Sequence, residues 1–172
     1  GYLIINTKTA SAGVEVDDIK ALSGTIGDLD LTEYQVLKAL MQREKDAVPI
    51  ARFVYLLGMN ANGSYFFYVD SEPSNSSDYS PPGQVFDTES EWIDEAFNGS
   101  SVTGGPITDD WGTWMSGLVP ITDPDTGEDR IYDDDGVTVL LRGALWENVA
   151  GTVAYRGQGA NFVNIGDVSC MV

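Results

Sequence analysis

The residues best placed to do chemistry sit around one strand end and the loop that follows it. Asp70 and Glu72 close a run of β-formers and open a segment, 71–83, dense in Ser, Pro, Asn and Asp. Side chains at such a junction can converge on a bound molecule, although the same residues also serve turns and loop caps. Arg52, at the start of the preceding strand signal, is the last basic residue before Arg130, and fourteen Asp and Glu fall between them. A pocket in that stretch is expected to take a cationic or neutral species or a metal ion, because a buried anion would lack partners there. A carboxylate ligand would need Arg52. Tyr55, Tyr68, Tyr79, Trp111 and Trp114 supply an aromatic set suited to a hydrophobic body or an amine. Core packing is the alternative for each of them singly.

Several chemistries are excluded or disfavoured. The chain has no His, which removes His-based triads, His-ligated zinc and imidazole proton shuttles. Asp123, Asp125, Gly127, Glu128 and Asp129 resemble half of a calcium loop but lack the Glu expected at its twelfth position. A solvated hairpin turn is the preferred reading there, as it is for Asp133, Asp134 and Asp135, and no metal site or cofactor is assigned. Asp109 and Asp110 are adjacent, and neighbours on a strand point to opposite faces. They therefore make a poor carboxylate pair for hydrolysis, and the chain is not expected to be an enzyme.

Composition narrows the partners. The 172 residues carry 27 acids against 9 bases, a formal charge of −18. That balance disfavours nucleic acid and anionic membrane surfaces, both of which select basic patches. Cys170 is the sole cysteine and cannot form an internal disulfide, though it can join two copies in a homodimer. No run approaches the roughly 20 apolar residues of a membrane span and no signal-peptide pattern is present. Membrane attachment is expected only through flanking segments absent from this chain. Asn62, Asn75 and Asn98 each open an Asn-x-Ser sequon in an expected turn or loop.

The elements that position these residues follow from periodicity. Tyr34, Leu37, Leu40 and Met41 recur at helical spacing, Asp30 with Glu33 has the pattern of a capping box, and Pro49 stops the run. Segments 52–57 and 65–69, separated by Asn60-Ala61-Asn62-Gly63, form a hairpin signal apolar on both faces, as in a sheet covered on each side. A second capping-box pattern, Thr88 with Glu91, opens a short helix carrying Trp92, Ile93, Ala96 and Phe97 and stopped by Gly99. Strand signals return at 113–119 and 137–141, and more weakly at 152–155 and 160–165. The order gives an α+β chain with a mostly antiparallel sheet, read as one domain over 1–172.

Five strings carry a family resemblance. They are Ala21-Leu22-Ser23-Gly24-Thr25, Arg52-Phe53-Val54-Tyr55-Leu56-Leu57, Tyr68-Val69-Asp70-Ser71-Glu72-Pro73, Asp78-Tyr79-Ser80-Pro81-Pro82-Gly83-Gln84-Val85-Phe86, and Gly105-Pro106-Ile107-Thr108-Asp109-Asp110-Trp111-Gly112-Thr113-Trp114. In this order they resemble the Cache (PDC, PAS-like) extracytoplasmic sensor domains that precede histidine kinase, diguanylate cyclase and chemoreceptor output modules. The resemblance implies a PAS-like central antiparallel sheet with a long N-terminal helix and a short helix packed on it. It implies a small-molecule pocket between the sheet and the loops that cross it, with Arg52, Tyr55, Tyr68, Asp70, Glu72, Tyr79, Trp111 and Trp114 as candidate ligand contacts. It also implies a periplasmic or extracellular location and membrane anchoring in the full-length protein. Residues 1–15 would be the membrane-proximal segment, with Tyr2-Leu3-Ile4-Ile5 as the trimmed end of a membrane helix, and 130–172 departs from the family pattern. There 137–141 would be the last strand and Ala144-Leu145-Trp146 the start of the exit. A structural or adhesive surface protein reusing the fold is the alternative function.

Overall fold

A computed structural model describes residues 2–60, 62–87, 91–109, 112–121, 130–132 and 139–150. The helices are α1 (Tyr2–Ser11), α2 (Val16–Lys20), α3 (Thr32–Ala47) and α4 (Glu91–Phe97). The strands are β1 (Ala51–Met59), β2 (Tyr65–Asp70), β3 (Val85–Phe86), β4 (Val102–Asp109), β5 (Gly112–Ile121), β6 (Arg130–Tyr132) and β7 (Val139–Ala150). All strand pairs are antiparallel, in the order β3-β2-β1-β7-β5-β4 with β6 added to β7. The fold is α+β and PAS-like, as the resemblance implied.

Both faces of the sheet are covered. α3 packs on β1 and β2, and α1 packs on β4, β5 and β7. Tyr34, Leu37, Leu40 and Met41, the four residues at helical spacing, are all buried on this side with Val54, Leu56, Phe66, Tyr68 and Val69. On the opposite side α4 buries Ile93, Ala96 and Phe97 against Tyr55, Leu57, Phe67 and Leu118. The continuous apolar character of β1 and β2 thus has its cause in burial on both faces, under α3 on one and in the cluster shared with α4 on the other.

Four expectations need correction. α3 starts at Thr32 behind Leu31, which makes no side-chain cap, so Asp30 and Glu33 do not form the capping box. That device sits earlier, between Thr25 and Asp28, at a 3-10 turn over Ile26–Asp30. Tyr2-Leu3-Ile4-Ile5 opens α1, which buries Leu3, Thr7 and Ala10 and lies so close to β5 that a Cβ on Gly117 would meet Thr7 Oγ1 at 2.6 Å. Ala144-Leu145-Trp146 is no exit segment but the middle of β7, paired with β1 on one side and β5 on the other. β4, which no strand signal marked, is a full strand despite its Gly104-Gly105-Pro106 interruption. Residues 88–90, 122–129, 133–138 and 151–172 lie outside the described residues. With them go Thr88 of the second capping box, the half calcium loop, the triple Asp, the weak strand signals at 152–155 and 160–165, and Cys170.

No helix among the described residues is long and apolar enough to cross a membrane. Asn62, Asn75 and Asn98 are all exposed.

Candidate functional site

β1 departs from regular pairing at its first residues. Ala51 pairs with Val149 and Phe53 with Asn148, so two steps along β1 match one along β7 and Arg52 is the extra residue of a bulge. Residues two apart on a regular strand share a face. Here Ala51 packs in the α3-side core and Phe53 in the α4-side core.

Released from the pleat, Arg52 is the hub of a polar cluster against α3. Its Nη1 donates to Glu72 Oε1 at 2.8 Å and its Nη2 donates to Asp78. Lys45 of α3 donates to the same Glu72 oxygen, and Ser76 Oγ donates to Oε2 at 3.1 Å. Burial works to raise the Glu72 pKa, but Lys45, Arg52 and Ser76 outweigh it and hold the carboxyl below its ordinary value. Lys38, two turns before Lys45 on the same face of α3, donates to the backbone carbonyls of Asp70 and Glu72 and lies 4.6 Å above the Tyr79 ring. Burial pulls its pKa down, only partly offset by Asp70 and Glu72.

Asp70 works as a loop clasp. Its Oδ1 accepts from Glu72 N at 3.1 Å and its Oδ2 from Ser80 N at 2.8 Å, tying both ends of the strap over 71–80 to one carboxylate. Burial raises its pKa despite these donors and Lys38. Tyr79 closes the cluster through its hydroxyl, 3.1 Å from that of Tyr34. Tyr34 is 2% exposed, so Tyr79→Phe, which leaves that buried hydroxyl short of a partner, should lower stability by about 1 kcal/mol in urea denaturation.

The other candidates stand elsewhere. Tyr55 and Trp114 belong to an aromatic wall on the opposite, α4 side. Phe53 meets Trp114 edge-on at 5.4 Å, Tyr55 meets Phe67 at 5.1 Å, and Phe67 meets Phe86 at 5.3 Å. α4 packs chiefly on β4, β5 and β7 and reaches β2 where Phe97 stacks on Tyr65 at 4.9 Å and Asp94 accepts from the Tyr65 hydroxyl. Phe53 and Phe86, at the β1–β2 end of the wall, are half-buried. Tyr68 is enclosed on the α3 side beside Phe66, at 4.5 Å. Trp111 lies outside the described residues.

The candidate set is therefore divided by the sheet: Arg52, Asp70, Glu72 and Tyr79 form the polar cluster, whereas Tyr55 and Trp114 join the wall. Lys38, Lys45, Tyr34, Phe53, Phe67 and Phe86 were not singled out from sequence. A signal for two of them existed, since Lys38 and Lys45 are seven residues apart and hence share a helix face. Among the described residues no group of three or more Cys, Asp or Glu is arranged to hold a metal ion.

No protein-family model matches the sequence, and no curated protein matches it. Solved structures do match. The ligand-binding domain of the Campylobacter jejuni chemoreceptor Tlp3 in complex with 4-methylisoleucine aligns with a TM-score of 0.50 and 16% identity, over 88% of this chain and 53% of that one. The same domain in complex with L-valine aligns with a TM-score of 0.47 and 15% identity, over 86% of this chain and 51% of that one. This chain thus spans about half the length of the chemoreceptor domains it matches. With its sheet order and its helices on both faces, it has the PAS-like α+β fold of a chemoreceptor ligand-binding domain.

Proposed function

We propose that the chain is the extracytoplasmic small-molecule-sensing domain of a transmembrane signalling receptor, one domain over 1–172, with its ligand held against the α4-side wall. The observation that carries this reading is the unequal cover of the sheet. On one face the sixteen residues of α3 lie over β1 and β2. On the other the same two strands present Phe53, Tyr55 and Phe67, bordered by Phe86 and Trp114, while α4 sits chiefly over the neighbouring strands. Aromatic side chains gathered on one sheet face, with Phe53 and Phe86 half-buried at its border, are what small-molecule sites are built from. Tyr55 and Trp114 are the ligand contacts of this reading. Arg52, Asp70, Glu72 and Tyr79 have a different duty, because their polar atoms already bind the strap to α3 and β1.

The match solved with 4-methylisoleucine makes aliphatic amino acids one class to screen. Amines, organic acids and divalent ions complete the set. Recognition rather than catalysis is assigned, as the absence of His also favours.

A thermal-shift screen tests the reading. A ligand at 100 times its Kd adds about 2.7 kcal/mol, which for a chain of this size corresponds to about 5–11 °C in Tm. The shift should shrink in Tyr55→Ala or Trp114→Ala. Failure of all four classes, together with large assemblies in light scattering, would favour an adhesive or structural use of the fold instead.

A further inference from the structure

Arg52 belongs to the polar cluster and also touches the wall. Its guanidinium lies 4.3 Å from the centroid of the Phe53 ring while donating to Glu72 and Asp78. Phe53 in turn meets Trp114 at 5.4 Å on the far side of the sheet from α3. A continuous series of contacts thus runs from Trp114 on β5 through Phe53 and Arg52 to Glu72 in the strap and Lys45 on α3. The bulge at Arg52 makes this crossing possible. In regular pairing Phe53 would share a face with Ala51 on the α3 side, and no wall residue would adjoin the cluster.

We propose that Arg52 couples the aromatic wall to helix α3, so that displacement of Phe53 is passed through the guanidinium to Glu72, Lys45 and the strap. The guanidinium is planar and engaged on both sides, with a ring against its face and carboxylates on its edge. Tilting the ring tilts the donors, and one bond to each of two separate carboxylates tolerates little rotation. Glu72, with its side chain 5% exposed, has little access to solvent that could replace a lost partner. Lys45 then becomes the principal partner, which changes how α3 is held. The inference gives the proposed ligand site its route to the long helix and takes its signalling sense from that reading. The coupling itself belongs to the ligand-free protein and can fail or hold independently.

The test is a double-mutant cycle on the whole chain, Phe53→Leu with Lys45→Met, read by urea denaturation and repeated in an Arg52→Met background. Residues on opposite faces that share no partner add within about twofold in the unfolding constant. Coupling through Arg52 should give a departure of at least about threefold that vanishes with Arg52→Met. Additivity in the wild-type background, or a departure that persists with Arg52→Met, overturns the proposal. If the triple variant does not fold, amide exchange decides. In Phe53→Leu, residues 41–47 and 71–80 should exchange at least about fivefold faster, whereas Phe97→Leu, a cavity under α4, should leave them unchanged. Equal exchange in the two variants overturns it likewise.

Discussion

Gly58→Ala should cost about 3 kcal/mol or more and lower Tm by about 6–12 °C, at the upper end of what overpacking one methyl group does. A Cβ on Gly58 would stand 2.1 Å from Tyr68 Cε2 and 2.5 Å from Phe66 Cζ. Neither ring has room to withdraw. Both lie in the core beneath α3, 4.5 Å from one another, and the Phe66 ring is also pinned from the side of Gly24, whose own Cβ would come within 2.7 Å of it. β1 cannot retreat either, being paired to β2 and β7 at once. Gly63→Ala is the control. That residue has a φ of +88° with nothing within 4 Å, so its loss should reflect backbone strain alone, about 1 kcal/mol. Calorimetry of the pair separates a packing role from a conformational one; equal shifts would contradict the close approach at Gly58.

What could be read from residues alone follows the range of the forces involved. α3 was legible because Tyr34, Leu37, Leu40 and Met41 obey one local period and the sheet buries all four. Its start was not, since α3 has no side-chain cap and the nearby capping carboxylate, Asp28, serves the 3-10 turn before it. Asp28 is 1% exposed and accepts from Ser23 and Gly24 at 2.9 Å and 2.7 Å, a role fixed by a 3-10 turn that Asp30 and Glu33 gave no sign of. β4 was hidden by Gly104-Gly105-Pro106, which reads as a breaker. In the fold, β4 pairs on either side of an irregularity between Gly104 and Ile107, and Gly104 is small because the Trp92 ring lies against it.

The candidate site was legible in its membership more than in its geometry. Tyr55 and Tyr68 looked like two parts of one aromatic wall, and simple alternation supports that. Tyr55 pairs with Asp70 and Leu56 with Val69, so the next step would set Tyr68 opposite Leu57, on the wall side. A register shift puts Phe67 there instead and turns Tyr68 into the α3-side core. The bulge at Arg52 acts the same way, sending the one cation of β1 to the strap and Phe53 to the wall. Two irregularities of one residue each divide the set. Irregularities of that size depend on how strands distant in sequence pair, which no local pattern encodes.

The buried carboxylate of Glu72 sets the acid response. Glu72→Gln at pH 7 should cost about 2 kcal/mol. Removing one member of a buried ion pair costs more when its partners stay buried, but Arg52 is 39% exposed and recovers part of its hydration. The pH dependence distinguishes loss of charge from loss of shape. A carboxyl whose pKa in the folded state lies below its ordinary 4.5 binds fewer protons folded than unfolded. Its stabilisation is complete above 4.5 and disappears as pH falls through the lowered value. Asp70 has the opposite sign. Raised above 3.8 by burial, it opposes folding when ionised, and acid relieves that opposition. Denaturation midpoints from pH 7 down to pH 3 should therefore fall less steeply in Glu72→Gln than in the wild type, and more steeply in Asp70→Asn. Parallel curves for all three proteins would mean that the strap is held by its backbone hydrogen bonds and packing, with Lys45 and Arg52 as bystanders to the Glu72 charge.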